Sequence, residues 1–193
     1  NHVFLNFVKD LNLSNYESSK LEANLQRVNN DTYLKVFQNN LYSFESNVIP
    51  TNKDTMVSNI NIDLEHQDYD FSSNFQVFEE LGKKHSDRYQ YVLPSYNFSK
   101  NINISEFEGS VSFNSSGNNN LKDTNNLRTS ITNDLNLQSR DYFSNLGFKN
   151  NFNLYLKNLN SMGKNDPTYK SSPRVEGMGI AEIETSLPLV RRD

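Results

Sequence analysis

Cysteine is absent from all 193 residues, and with it disulfides, thiolate zinc sites and cysteine nucleophiles. That absence leaves the compartment open, because an oxidising environment permits disulfides without requiring them. No apolar run approaches the roughly 18 residues that a helical membrane span needs. Positive charge is scarce too. Nineteen Lys and Arg against 23 Asp and Glu give a net charge of −4 and a pI near 5.4, so no basic footprint points to nucleic acid. Lys83-Lys84 and Arg191-Arg192 read as solvated loop or strand-end residues. Neither an initiating Met nor a signal-peptide pattern is present. The chain opens strand-like at Asn1-His2-Val3-Phe4 and stops at Leu189-Val190-Arg191-Arg192-Asp193 after another strand-like run. The expectation is an internal piece of a longer polypeptide.

Hydrophobic residues make up only 35% of the chain and mean hydropathy is −0.75, poor for a soluble core of this length. Yet 13 Phe and 10 Tyr bring aromatics to 12%, with charged residues at 22%. A disordered chain is usually poorer in aromatics and richer in charge. Asn and Ser fill the gap. That mixture suits strands with lipid on one side and water on the other, although a genome that favours Asn codons explains the Asn equally well.

The strongest pattern is alternation with period two, which puts successive side chains on opposite faces of a strand. Between Phe148 and Leu159, Phe148, Phe152, Leu154 and Leu156 share one face, while Asn151, Asn153, Tyr155 and Lys157 share the other. In Lys20–Val28 the apolar set is Leu21, Ala23 and Leu25. In Met56–His66 it is Ile60, Ile62 and Leu64, opposed by Asn59, Asn61, Asp63 and Glu65. In Leu127–Gln138 it is Ile131, Leu135 and Leu137, interrupted once by Asn133. Further strand-like runs are Val3–Leu13, Tyr33–Tyr42, Tyr69–Phe78, Tyr89–Phe98, Phe107–Asn114 and Met178–Leu189. The stretch Phe75–Leu81 is the least unlike a helix but reads as strand.

Turn chemistry marks Asn29-Asn30-Asp31, Asp68, Ser115-Ser116-Gly117-Asn118 and Asn145-Leu146-Gly147, with longer loops over Lys83–Arg88 and Gly163–Glu176. Pro94 and Pro188 fall inside strand-like runs, where each removes a ladder donor and marks a bend or a strand start. The expected fold is all-β, an antiparallel meander of about ten strands. Runs of roughly nine to twelve residues match what crosses a bilayer at a tilt, whereas soluble strands average about five or six. Two architectures satisfy the alternation: a soluble sandwich with apolar faces inward, or a transmembrane barrel wall with them outward. In the second, Asn151, Asn153, Tyr155 and Lys157 face the lumen and Phe152, Leu154 and Leu156 face lipid.

Residues with chemistry are sparse. His2, His66 and His85 are scattered and lack a second ligand at metal spacing; His66 reads as a strand-end residue. Glu106 and Glu108 would share a strand face, but no nucleophile or pocket-forming pattern accompanies them. Ser115-Ser116-Gly117 and Glu176-Gly177-Met178-Gly179-Ile180 lack phosphate-loop spacing and read as turn and strand kinks. Asn97-Phe98-Ser99 and Asn103-Ile104-Ser105 are chance triplets in a chain this rich in Asn and Ser. No catalytic, cofactor-binding or metal residue is assigned, and the chain is read as a non-enzyme. A lumen of Asn, Gln, Ser and Tyr would tolerate a sugar head group, although any barrel lumen is polar.

Several short signatures occur together in order. Leu25-Gln26-Arg27-Val28-Asn29-Asn30-Asp31-Thr32-Tyr33-Leu34 resembles the strand and turn near the start of the barrel in the LptD (OstA, organic solvent tolerance) proteins. Ser86-Asp87-Arg88-Tyr89-Gln90-Tyr91-Val92-Leu93-Pro94-Ser95-Tyr96 is similar to a later strand of that family. Gly109 through Gly117, Asp123-Thr124-Asn125 and Lys157-Asn158-Leu159-Asn160 follow in order, and Glu184-Thr185-Ser186-Leu187-Pro188-Leu189 resembles a further strand. The resemblance spans nearly the whole chain and has an alphaproteobacterial flavour. It implies part of the C-terminal barrel of a Gram-negative outer-membrane protein that inserts lipopolysaccharide into the outer leaflet. The implied partners are lipopolysaccharide, an LptE-type plug lipoprotein and the periplasmic Lpt bridge. The family's periplasmic jelly roll, closing strands and lateral gate would lie outside this stretch. The alternatives are a soluble secreted sandwich that binds carbohydrate, and an unrelated outer-membrane porin or receptor.

Overall fold

Alternating residues favour extended backbone, and in the computed structural model nearly all of the chain's regular structure is extended. The structure describes residues 1–41, 48–105 and 107–188. The strands are β1 (His2–Asp10), β2 (Ser18–Val28), β3 (Thr55–Glu65), β4 (Tyr69–Glu80), β5 (Tyr89–Ile102), β6 (Gly109–Lys122), β7 (Asn126–Ser139), β8 (Tyr142–Phe143), β9 (Lys149–Lys164) and β10 (Arg174–Ser186). All lie in one antiparallel sheet, ordered β1-β2-β3-β4-β5-β6-β7-β9-β10, with the two-residue β8 beside β9. The sheet is open, with β1 and β10 at its edges. The expected all-β meander is therefore what forms, and nine of the ten runs read as strands fall on strands.

The tenth run is a correction. Tyr33–Tyr42, read as a strand, holds two single-turn helices, α1 (Tyr33–Val36) and α2 (Gln38–Leu41), and Tyr42 lies outside the described residues. The Asn30 side-chain carbonyl accepts from both the backbone N–H and the hydroxyl of Thr32, at 2.9 Å each, turning the chain into helical geometry. Tyr33 and Phe37 then pack one turn apart, their rings tilted by 39° with 4.8 Å between centres. Leu34 is fully buried against Val28, Met56 and Leu81, with Phe4, Tyr33 and Leu41 around them. This small cluster holds most of the buried apolar residues among those described.

It sits where β2 and β3 part. Their last ladder pair is Asn24 with Asn59. Beyond it side chains replace the ladder: the Gln26 N–H donates to Ser58 Oγ and the Val57 N–H to Gln26 Oε1, each at 3.0 Å. These bonds satisfy backbone groups that the splayed strands would leave unpaired.

A second correction concerns Ser115-Ser116-Gly117-Asn118. Read as a turn, these residues lie in the middle of β6 and pair on both sides, with β5 and β7. Gly117 fits because the Tyr96 ring of the neighbouring strand covers it; a Cβ there would come within 2.1 Å of that ring. The tight link around Asp68, the loop over Lys83–Arg88 and the turn at Gly147, whose φ is +84°, form as expected.

Pro94 stands in β5, an interior strand, and bends the ladder as its position suggests. Leu93 and Pro94 together oppose one residue on each neighbour, because the register shifts between Val92 and Ser95 against both β4 and β6. The bulge removes the need for a proline N–H. The side chain of Asn119 donates to the Leu93 carbonyl at 2.8 Å.

Candidate functional site: the two faces of the sheet

Residues paired directly across antiparallel strands lie on the same face, so the register assigns every side chain. One face carries rows such as Phe7–Ala23–Ile60–Phe75, Phe113–Leu135–Leu156–Gly179 and Ile102–Val111–Leu137–Leu154–Ala181. The other carries Asn6–Asn24–Asn59–Gln76 and Asp63–Ser72–Asn97–Ser116–Thr132. The segregation seen within single runs thus holds in register from β1 to β10. The β5 bulge preserves it: Tyr91 and Tyr96, five positions apart, both stay on the apolar face.

No second layer covers the apolar face among the described residues, since each strand packs on its sheet neighbours. Leu5, Phe7, Ile60, Leu156 and Ile183 are between 42% and 75% exposed. A contiguous apolar surface on this scale marks an interaction with lipid or protein. The polar face is interrupted toward the sheet edges by exposed Val8, Met178 and Ile180.

The seven residues singled out in β9 fall on the two faces as their spacing dictates. Phe152, Leu154 and Leu156 are on the apolar face; Asn151, Asn153, Tyr155 and Lys157 are on the polar one. Asn153 is 7% exposed, and its side-chain oxygen, like that of Asn151, meets no donor. Lys157 reaches Asp134 at 3.4 Å. On the same face, Asp63, Glu65, Asp70 and Asp134 line a hollow of about 370 Å3 with Ser72, Asn97 and Ser116, and no Lys or Arg lines it.

The remaining sequence candidates do not converge. His2 Nδ1 lies 2.7 Å from the Tyr33 hydroxyl, and His66 Nδ1 accepts the Asp68 N–H across the turn it ends. His85 lies in the loop between β4 and β5. Glu108 pairs with Arg140, while Glu106 and Arg191-Arg192 lie outside the described residues. No group of three His, Asp or Glu among the described residues is placed to hold a metal.

Three features escaped the sequence reading. Arg88 donates to Glu79 at 2.7 Å and to Asp31 at 2.8 Å, tying the loop before β5 to the turn before α1. The hydrogen bond from Arg88 holds the Asp31 carboxyl below its usual range. At the same end of the sheet Asp166 clamps the loop before β10. A polar strip also crosses the apolar face: Ser115, Asn133 and Asn158 align across β6, β7 and β9. Asn133 was visible as a break in one strand. Its alignment with Ser115 and Asn158 required the register.

No protein-family model matches the chain, and no curated protein matches it.

Proposed function

We propose that this chain forms part of the wall of a transmembrane β-barrel in the bacterial outer membrane, with the apolar face in hydrocarbon and the polar face lining the lumen. The observation that carries the reading is the segregation of faces across a single uncovered layer. Side chains on one face gain by staying in lipid, and backbone groups are satisfied between strands, the condition a membrane imposes. Strands of 9 to 16 residues along the main order are long enough to span at a tilt. A soluble sandwich would need a second layer over Leu5, Ile60 and Leu156, and none of the described residues supplies one.

The ordered signatures that resemble LptD narrow the proposal to a lipopolysaccharide-assembly barrel. Its role is passive: the wall guides lipid between a periplasmic bridge and the outer leaflet. The hollow around Asn97 and Ser116 offers amides and hydroxyls that suit a sugar head group.

Two measurements on the full-length protein separate the parts of this reading. Nitroxides at Ile60 and Asn59 in reconstituted vesicles should collide preferentially with oxygen and with a water-soluble nickel chelate, respectively. Equal collision profiles at the two positions would end the barrel reading. A photocrosslinker at Asn97 in Gram-negative cells should yield an adduct that reacts as lipopolysaccharide. No such adduct, with the nitroxide result intact, would leave a barrel of another function.

A further inference from the structure

The strip that crosses the apolar face is a directed hydrogen-bond chain. Ser115 spends its single O–H on Asn133 Oδ1 at 2.8 Å, so the Tyr96 hydroxyl, 3.2 Å away, donates to Ser115. Asn133 Nδ2 donates to Asn158 Oδ1 at 3.2 Å, and Asn160 Nδ2 donates to the same oxygen at 2.5 Å. Asn158 Nδ2 then donates to the Glu176 carbonyl at 3.2 Å. Asn133 Oδ1 already accepts one hydrogen bond and Asn158 Oδ1 two. Each of the three amide nitrogens has two N–H groups and uses one, so three donors remain open.

Beside the strip the edge strand leaves space. Gly177 and Gly179 of β10 pair with Asn158 and Leu156. With Phe113, Leu135 and Leu156 they frame a hollow of about 370 Å3, and Asn133 and Asn158 also line it. A Cβ on Gly177 would meet nothing closer than 4.0 Å. The hollow, which Met178 and Lys157 also line, is thus an open slot with mostly apolar walls and unmet donors beside it. Unmet donors in hydrocarbon are costly, so its fitting occupant is itself apolar and brings an acceptor.

We propose that this slot binds an acyl chain carrying an oxygen acceptor along its length, held by Asn133 and Asn158 against the glycines of β10. The proposal rests on the apolar face meeting lipid. It adds a specific lipid subsite on the outside of the wall, apart from the polar lumen.

The chain has no tryptophan, so Leu154→Trp, one residue pair from the slot on the same face, gives a single reporter. The full chain with this reporter is reconstituted in phosphatidylcholine vesicles. It is titrated with a brominated fatty acid that has a mid-chain ketone, and with its brominated counterpart lacking the ketone. One added hydrogen bond should make the ketone probe quench at a concentration about threefold to tenfold lower. Gly177→Leu, which fills the slot while leaving the Asn133 and Asn158 side chains in place, should erase the difference and leave quenching by the plain chain in place. Asn133→Leu with Asn158→Leu should do the same. Equal quenching by the two probes in the reporter chain alone overturns the subsite while leaving the barrel intact. Quenching by neither probe overturns both, because the face then meets protein.

Discussion

Asp166 shows how a single carboxylate organises a loop. Its side chain is 3% exposed, and its two oxygens accept from Arg128 at 2.9 and 3.2 Å in a bidentate pair. One oxygen also accepts the backbone N–H groups of Thr168 and Tyr169, and the guanidinium lies 5.1 Å from the centre of the Tyr169 ring. The Arg128 bond, reinforced by the two N–H donors and opposed by burial, lowers the carboxyl from 3.8 to about 2. A depressed folded-state value contributes stability above the unfolded value, and that contribution fades as pH falls through the folded one. The loop after β9 should therefore stay ordered at pH 5 and loosen between about pH 4 and pH 2. Pepsin cleavage within residues 165–173 should accelerate across that window, and the Asp166 carboxyl signal should titrate near its lower end. A midpoint at the ordinary aspartate value would show that the clamp does not form in solution.

At the scale of elements, the bulge in β5 makes an unusual claim about deletions. A strand with period two cannot lose a residue without turning everything beyond it to the wrong face. Leu93 and Pro94, however, share one ladder position, so deleting Pro94 leaves Tyr91 and Tyr96 still on the apolar face. Deleting Asn118 from the regular strand β6 has no such escape, because either half of that strand must then invert. The expected result is that the Pro94 deletion still folds in detergent, with a heat-sensitive shift in gel migration, and the Asn118 deletion does not. If both deletions folded equally well, register would not be what specifies this sheet.

The same elements mark how far the sequence could be read. Alternation located nine strands because each carries mostly apolar side chains on one face and mostly polar ones on the other, and that contrast is written in neighbouring residues. The strand reading of Tyr33–Tyr42 failed over its described residues because Tyr33, Phe37 and Leu41 also recur every four residues. The Asn30–Thr32 turn selects helix over strand there. Ser115-Ser116-Gly117-Asn118 failed for a different reason. Turn propensity is a local preference, whereas these residues are held by partners on β5 and β7 that no local pattern reveals. The polar strip likewise depends on three strands meeting in register, so Asn133 alone looked like an isolated lapse.

On the scale of the whole molecule, what distinguishes the sheet is a single layer with one mostly apolar and one mostly polar face. Among the described residues both edges, β1 and β10, carry unpaired backbone groups, and the face between them is largely apolar, crossed by the strip of Ser115, Asn133 and Asn158. In water each feature invites association with further copies. In a bilayer the face becomes the stabilising contact. The cost of one charge should then depend on the face that receives it. Arginine in place of Ile60, near the middle of β3 on the apolar face, should destabilise the folded chain by about 2–4 kcal/mol in urea titrations from vesicles, the cost of a cation near mid-bilayer. Asn59→Arg, one residue away on the polar face, should shift the midpoint little, since that side meets water. The third arm omits lipid altogether. If the unsubstituted chain reaches the same stability as a monomer in detergent-free buffer, the apolar face is buried in a protein core and the membrane wall is ruled out, whatever the two arginines do.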